Sequence, residues 1–200
     1  MKRTAWMVLA LIAAIAAPAR AQSWEIAAMA GYVMPSDFAQ TTRDVDSAGL
    51  AGGITYGFAG GYTFTPHWGA EVGWNAQSTG YRVELNGVDG ELFSMTIHQV
   101  MGNLVYQFGR SGSHVQPFAF IGAGSTFFVA TDIPMETHFA MGIGGGVKVF
   151  PWNAVGLRGQ VRYRPTWLSD KDAGDFCDPF GFCQSMLRQL EFSGGVTFRF

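Results

Sequence analysis

The sequence is short of charge. Asp, Glu, Lys and Arg together make up 14% of its 200 residues, against about a quarter in an ordinary soluble chain. Such a chain either has little water-facing surface or turns apolar side chains toward something other than water. It also lacks a long apolar run. The stretch from Ala5 to Ala17 has 13 residues, and a membrane-spanning helix needs about 20. No other segment is a candidate. Cysteine is scarce, with only Cys177 and Cys183.

What is there begins with Met1–Lys2–Arg3, then the apolar run, then Ala19–Arg20–Ala21. A basic start, a short apolar core and a small-x-small site describe a cleavable signal peptide. The expected division is 1–21 signal peptide and 22–200 a single domain. Cleavage removes Lys2, Arg3 and Arg20, leaving ten basic against fifteen acidic side chains, a net of −5. That balance argues against a nucleic-acid partner. In an exported chain two cysteines read as a disulfide, Cys177 to Cys183.

The remainder alternates with a period of two, the signature of strands. Eight runs stand out, at about 24–34, 54–64, 68–76, 92–108, 115–129, 138–150, 155–164 and 187–200. The last ends "LEFSGGVTFRF", with Leu190, Phe192, Val196, Phe198 and Phe200 on one face and Glu191, Ser193, Thr197 and Arg199 on the other. The links alternate. Those at 65–67, 109–114 and 151–154 are short. Those at 35–53, 77–91, 130–137 and 165–186 are mostly longer and polar. Short links therefore gather at one end of the sheet, as in outer-membrane barrels with short periplasmic turns. One run slips. Phe93, Met95 and Ile97 are odd-numbered, whereas Val100, Leu104, Tyr106 and Phe108 are even. A bulge between Ile97 and Val100 would restore the facing and turn His98 inward.

Twelve of the fifteen acids fall in or beside the long links; Glu25, Glu71 and Glu191 lie within strands, opposite the aromatics. Lys148, Arg158, Arg162, Arg164 and Arg199 share that face. The polar face is otherwise mostly small, which fits the filled interior of a small barrel better than the wet face of a soluble sandwich. Lipid cannot pair a free strand edge, so the sheet must close. Eight strands leave an interior just wide enough for side chains. The expected fold is all-β: an eight-stranded antiparallel up-and-down transmembrane β-barrel. Expected interfacial aromatics are Trp24, Phe64, Trp68, Phe118 and Phe198 at one end, and Tyr32, Tyr56, Trp74, Phe93, Phe128 and Phe139 at the other. Inside, Glu191 is expected to pair with Arg162 or Arg164, and Glu25 to approach Arg199.

The segments "WEIAAMAGYVMP", "QPFAFIGAGSTFF", "VGLRGQVRYRP" and the final "GGVTFRF", taken in order, resemble the OmpA/OmpX-like family of eight-stranded outer-membrane barrels across the whole mature chain. The resemblance implies a Gram-negative outer membrane, surrounding lipid, and recognition of Val196, Phe198 and Phe200 by the barrel-assembly machinery. The leading reading is a monomer whose outer loops act on an extracellular ligand, through adhesion, surface shielding or envelope integrity, without catalysis or cofactor. Two other readings compete. One is a narrow channel or small-molecule carrier. The other is a lipid A deacylase of the PagL-like kind, which needs a Ser, a His and an acid on the lipid-facing side. His67 and His114 fall in short turns, and His138 opens the sixth run. The last long link, "SDKDAGDFCDPFGFC", holds Asp170, Asp172, Asp175 and Asp178, but their spacing fails the calcium-loop pattern, so a solvated acidic loop is expected.

Overall fold

A computed structural model describes residues 23–42, 45–85, 88–109, 113–130, 135–167 and 186–200. The proposed leader, Cys177 and Cys183, and the acidic link around them lie outside the described residues.

The chain forms ten strands: β1 (Ser23–Val33), β2 (Ser36–Thr42), β3 (Val45–Leu50), β4 (Gly53–Thr63), β5 (Trp68–Leu85), β6 (Val88–Gln107), β7 (Val115–Ala130), β8 (Glu136–Val149), β9 (Val155–Trp167) and β10 (Met186–Arg199). Their order is β2-β3-β5-β4-β1-β10-β9-β8-β7-β6, and β6 pairs back to β5. All pairings are antiparallel. Leaving β2 and β3 aside, eight strands close a barrel. The seam joins first to last: Ile26 opposes Phe198, and Trp24 and Phe200 exchange backbone hydrogen bonds of 2.9 and 3.3 Å. Those bonds satisfy edge groups that lipid would leave bare.

Alternation sorts the side chains. Trp24, Ile26, Ile54, Tyr56, Phe58, Val72, Phe139, Ile143 and Leu157 point outward and are exposed. Among the described barrel residues Arg188, at the long-link rim, is the one outward Lys, Arg, Asp or Glu. The rings of Trp24, Phe64, Trp68 and Phe198 mark the short-turn end; those of Tyr32, Tyr56 and Phe139 are exposed nearer the other end, and Trp74 is half-buried.

Three expectations fail. Phe118 and Phe128 are not lipid-facing: with Phe120 they point into the barrel, 2%, 6% and 4% exposed. Glycines make the room. A Cβ on Gly144 would lie 2.5 Å from Cζ of Phe120, and one on Gly142 3.1 Å from Cε of Met101.

Second, β6 has no bulge between Ile97 and Val100; its pairing runs unbroken from Phe93 to Tyr106. The register shift falls farther out, where Tyr81 opposes Phe93 and Arg82 opposes Glu91. His98 therefore faces outward, stacked on Trp74 at 5.8 Å. Met95 and Ile97 face inward because an apolar cluster of Leu50, Met95, Ile97, Phe128 and Leu187 fills that end of the lumen. The side chain of Phe93 lies outside what the structure describes.

Third, the links at 35–53 and 77–91 are largely strand. A lipid-crossing strand needs about 9–11 residues, whereas β5 has 18 and β6 has 20. The surplus continues past the barrel rim. There β3 adds to β5, Ser47 opposing Glu84 and Leu50 opposing Tyr81, and β2 adds to β3. A four-stranded lobe, β2-β3-β5-β6, thus stands on the long-link end and takes in several acids assigned to loops.

Candidate functional site

The lumen is layered. Nearest the short turns, Lys148 Nζ meets the Glu25 carboxylate, although Glu25 and Arg199 are backbone partners in the seam. The Arg199 guanidinium sits 3.9 Å from the Phe150 ring and donates to the Asn153 carbonyl at 3.3 Å. Glu25 and Arg199 are thus neighbours in the seam as expected, while the Glu25 carboxylate also takes Lys148, a partner the sequence did not suggest. Lys148, on β8, has the reach to take the carboxylate from across the lumen.

One layer up, Arg158 donates to Glu71 through Nη1 at 2.5 Å and Nη2 at 3.1 Å. β5 and β9 are four strands apart in either direction around the barrel, so this pair is a crossbar over the full diameter. Arg158 also donates to Gln160 Oε1 at 3.0 and 2.7 Å. Phe118 serves both cations, with Arg158 4.7 Å and Lys148 5.4 Å from its centroid. A ring face attracts a cation most where water is excluded, which is why a phenylalanine belongs inside this lumen.

Above lie Arg162, 5.1 Å from the Phe120 centroid, and then Arg164, which donates to Glu191 Oε2 at 3.1 Å and to Gln189 at 3.2 Å. Of the two arginines considered for Glu191, the structure selects Arg164. Gln189 continues to Gln77 at 3.0 Å, and Thr126 meets Thr166 at 3.4 Å. The apolar cluster of Leu50, Met95, Ile97, Phe128 and Leu187 then caps the column.

The amides are what sequence reasoning missed. Gln77, Gln99, Gln107, Gln116, Gln160 and Gln189 are all buried. Each shares strand parity with an inward charge or its cross-strand partner, which was the available signal. His138 is also inward and buried, 3.2 Å from Glu136. His67 and His114 are exposed in the short-turn region. Val196, Phe198 and Phe200 lie on the outward face of the seam strand, at the short-turn end. Among the described residues no three His, Cys, Asp or Glu side chains are grouped to hold a metal.

Two small cavities lie among these side chains, one of about 20 Å³ beside Arg162 and one of about 10 Å³ beside Glu25, Glu71 and Lys148. Either is near the least that admits a water, about 10–15 Å³. Among the described residues, column and cap fill much of the barrel interior, and the lobe stands on one rim.

A family model described as an outer membrane protein beta-barrel domain matches residues 7–200. Among solved structures, OprG of Pseudomonas aeruginosa is similar with a TM-score of 0.62 at 15% identity, over 90% of this chain and 96% of that one. Neisserial surface protein A gives 0.60 at 15% identity, over 89% and 97%. The N-terminal barrel domain of Pseudomonas aeruginosa OprF gives 0.52 at 15% identity, over 89% and 97%. At such identities the likeness is one of fold. No curated protein matches the chain.

Proposed function

Because the chain belongs to the outer membrane protein β-barrel domain family, and so lies in the outer membrane of a Gram-negative bacterium, we propose that it is a non-conducting, non-enzymatic barrel that works through its outer lobe. The short turns face the periplasm and the β2-β3-β5-β6 lobe faces outward. The lobe makes contact with an extracellular ligand, in adhesion, shielding or support of the envelope. The barrel acts as a monomer in lipid, delivered by the assembly machinery that reads its last strand.

One observation carries this reading. The lumen is crossed by the Glu71–Arg158 bar and capped by Leu50, Met95, Ile97, Phe128 and Leu187, which supports a lumen that conducts neither ion nor solute. That weighs against the channel or carrier alternative. Against lipid hydrolysis stands the direction of the histidines. The His–acid pair His138–Glu136 has its imidazole buried in the barrel, while lipid-facing His98 lies on the Trp74 ring.

Two measurements test the proposal. Purified barrel in planar bilayers should show no single-channel steps; regular conductance steps would refute the sealed lumen. Replacing residues 37–49 with a short Gly-Ser turn should leave a folded, heat-modifiable barrel but abolish ligand capture by whole cells. Unchanged capture would remove the lobe from the function.

A further inference from the structure

The lumen holds one cation that no carboxylate neutralises. In the middle of the lumen the inward bases are Lys148, Arg158, Arg162 and Arg164, and the inward acids are Glu25, Glu71 and Glu191; a fourth inward acid, Glu136, lies at the long-link end beside His138. Each of the middle acids is held by a different base: Glu25 by Lys148, Glu71 by Arg158, Glu191 by Arg164. Arg162 is left over. It is 5% exposed, and among the described residues its guanidinium makes no hydrogen bond and no ion pair. Its recorded contact is the Phe120 ring, and its Nε has no partner. Arginine cannot shed its charge, and an isolated charge out of water is costly.

Beside it lies the cavity of about 20 Å³, lined on its lumen side by Arg162 with Gln160, Ser193, Asn75, Thr55 and Glu191, and toward the barrel wall by apolar residues that include Tyr56, Phe58 and Trp74. Two more of these residues have an unpartnered atom able to donate, Nε2 of Gln160 and Oγ of Ser193. The one carboxylate on the wall, Glu191, is already held by Arg164 at 3.1 Å. The lumen side of the wall therefore offers idle donors and one positive charge without a carboxylate of its own.

We propose that this cavity is a binding site for a small monovalent anion of halide size. One such ion supplies the counter-charge that Arg162 lacks locally and accepts from the idle donors. A water would accept hydrogen bonds but bring no charge. Phosphate or sulfate is too large, since the space suits only one or two water-sized guests. The site is closed outward by Arg164–Glu191 and Gln189–Gln77 and toward the periplasm by Glu71–Arg158. The ion is therefore enclosed as the barrel closes, and exchanges slowly afterwards.

Slow exchange shapes the test. The full mature protein is refolded in sodium bromide, moved into gluconate, which is too large to enter, and crystallised. Anomalous diffraction at the bromine edge should show a peak beside the Arg162 guanidinium. In parallel, urea unfolding in lipid vesicles is followed at constant ionic strength while bromide replaces gluconate. An ion bound only by the folded state raises the folded-to-unfolded ratio about elevenfold at ten times its dissociation constant. Arg162→Gln should lose that dependence. If that variant does not fold, the wild-type anomalous peak decides alone. A wild-type cavity without a bromide peak, with the same unfolding midpoint in bromide and gluconate, would show that water fills the space and overturn the proposal.

Discussion

Glu71→Ala should be among the most damaging single changes in the barrel. It removes both bonds of the crossbar, at 2.5 and 3.1 Å, and strands Arg158, which is 3% exposed. The freed guanidinium keeps Gln160 and the Phe118 ring but loses its counter-charge, with Lys148 over the same ring. Breaking a buried pair by removing one partner costs about 3–5 kcal/mol. The adjoining cavity of about 10 Å³, enlarged by the lost side chain, admits water and draws the cost toward the lower figure. With a urea slope of about 2 kcal/mol/M, a loss of ~3–4 kcal/mol lowers the midpoint by roughly 1.5–2 M. The assay is reversible urea unfolding in lipid vesicles, with Asp172→Ala in the last outer link as control. The double variant Glu71→Leu with Arg158→Met should recover most of the loss, because an apolar replacement of a buried pair is often near neutral. It should still fall ~1–2 kcal/mol short, since Gln160 Oε1 loses its donor. A Glu71→Ala midpoint equal to that of the control, or a double variant no better than the single, would refute the crossbar as a source of stability.

Deleting Phe200 removes the residue whose backbone closes the seam with Trp24, and the chain end expected to address the assembly machinery. Less folded barrel should reach the outer membrane, and equal intensity of the heat-modifiable band in mutant and wild type would count against this. A Cys177–Cys183 bridge closes so short a loop that it contributes only about 2 kcal/mol; reduction should leave the barrel heat-modifiable, and global unfolding on reduction would contradict that. Gly144→Val should destabilise the barrel by about 2–3 kcal/mol, because its side chain collides with Phe120 where no void exists. A variant as stable as wild type would mean that Phe120 has another place to go.

The eight barrel strands and their closure were legible because lipid and a narrow lumen impose opposite chemistries on alternate residues. Legibility failed where both sides of a strand are apolar. In β7, Phe118, Phe120 and Phe128 look like lipid-facing aromatics, yet they share parity with Gln116, Gly122, Gly124 and Thr126. Those small and amide neighbours were the better guide to facing. Hydrophobicity alone cannot tell a ring against lipid from a ring under two cations. The same ambiguity displaced the bulge in β6: Met95 and Ile97 are apolar because they cap the lumen. The lobe was hidden for a different reason. Outside the bilayer a strand need not alternate apolar with polar, so β2, β3 and the far half of β5 read as polar linkers. The partner choices among charges were only half readable. Backbone register puts Glu25 beside Arg199 and Glu191 beside Arg162, but long side chains reach past their register neighbours, and Lys148 and Arg164 take the carboxylates.

The chemistry of the interior also bears on the proposal that the barrel acts through its rim. Eight strands enclose just enough space for side chains, and here that space is committed to three ion pairs, a layer of amides and an apolar cap. The outer wall is equally committed: the described lipid-facing positions carry one charge, Arg188, and otherwise mostly apolar residues and glycine. Among the described residues the wall presents no polar face to the membrane. What remains free to vary is the strand length beyond the bilayer. Extending β5 and β6 carries the hydrogen-bond ladder of the barrel outward, so the lobe inherits a fixed base, and β3 and β2 pair onto that extension rather than onto the mobile end of a loop. By sequence, residues 36–50 and 78–94 hold Asp37, Asp44, Asp46, Glu84, Asp89 and Glu91 against only Arg43 and Arg82.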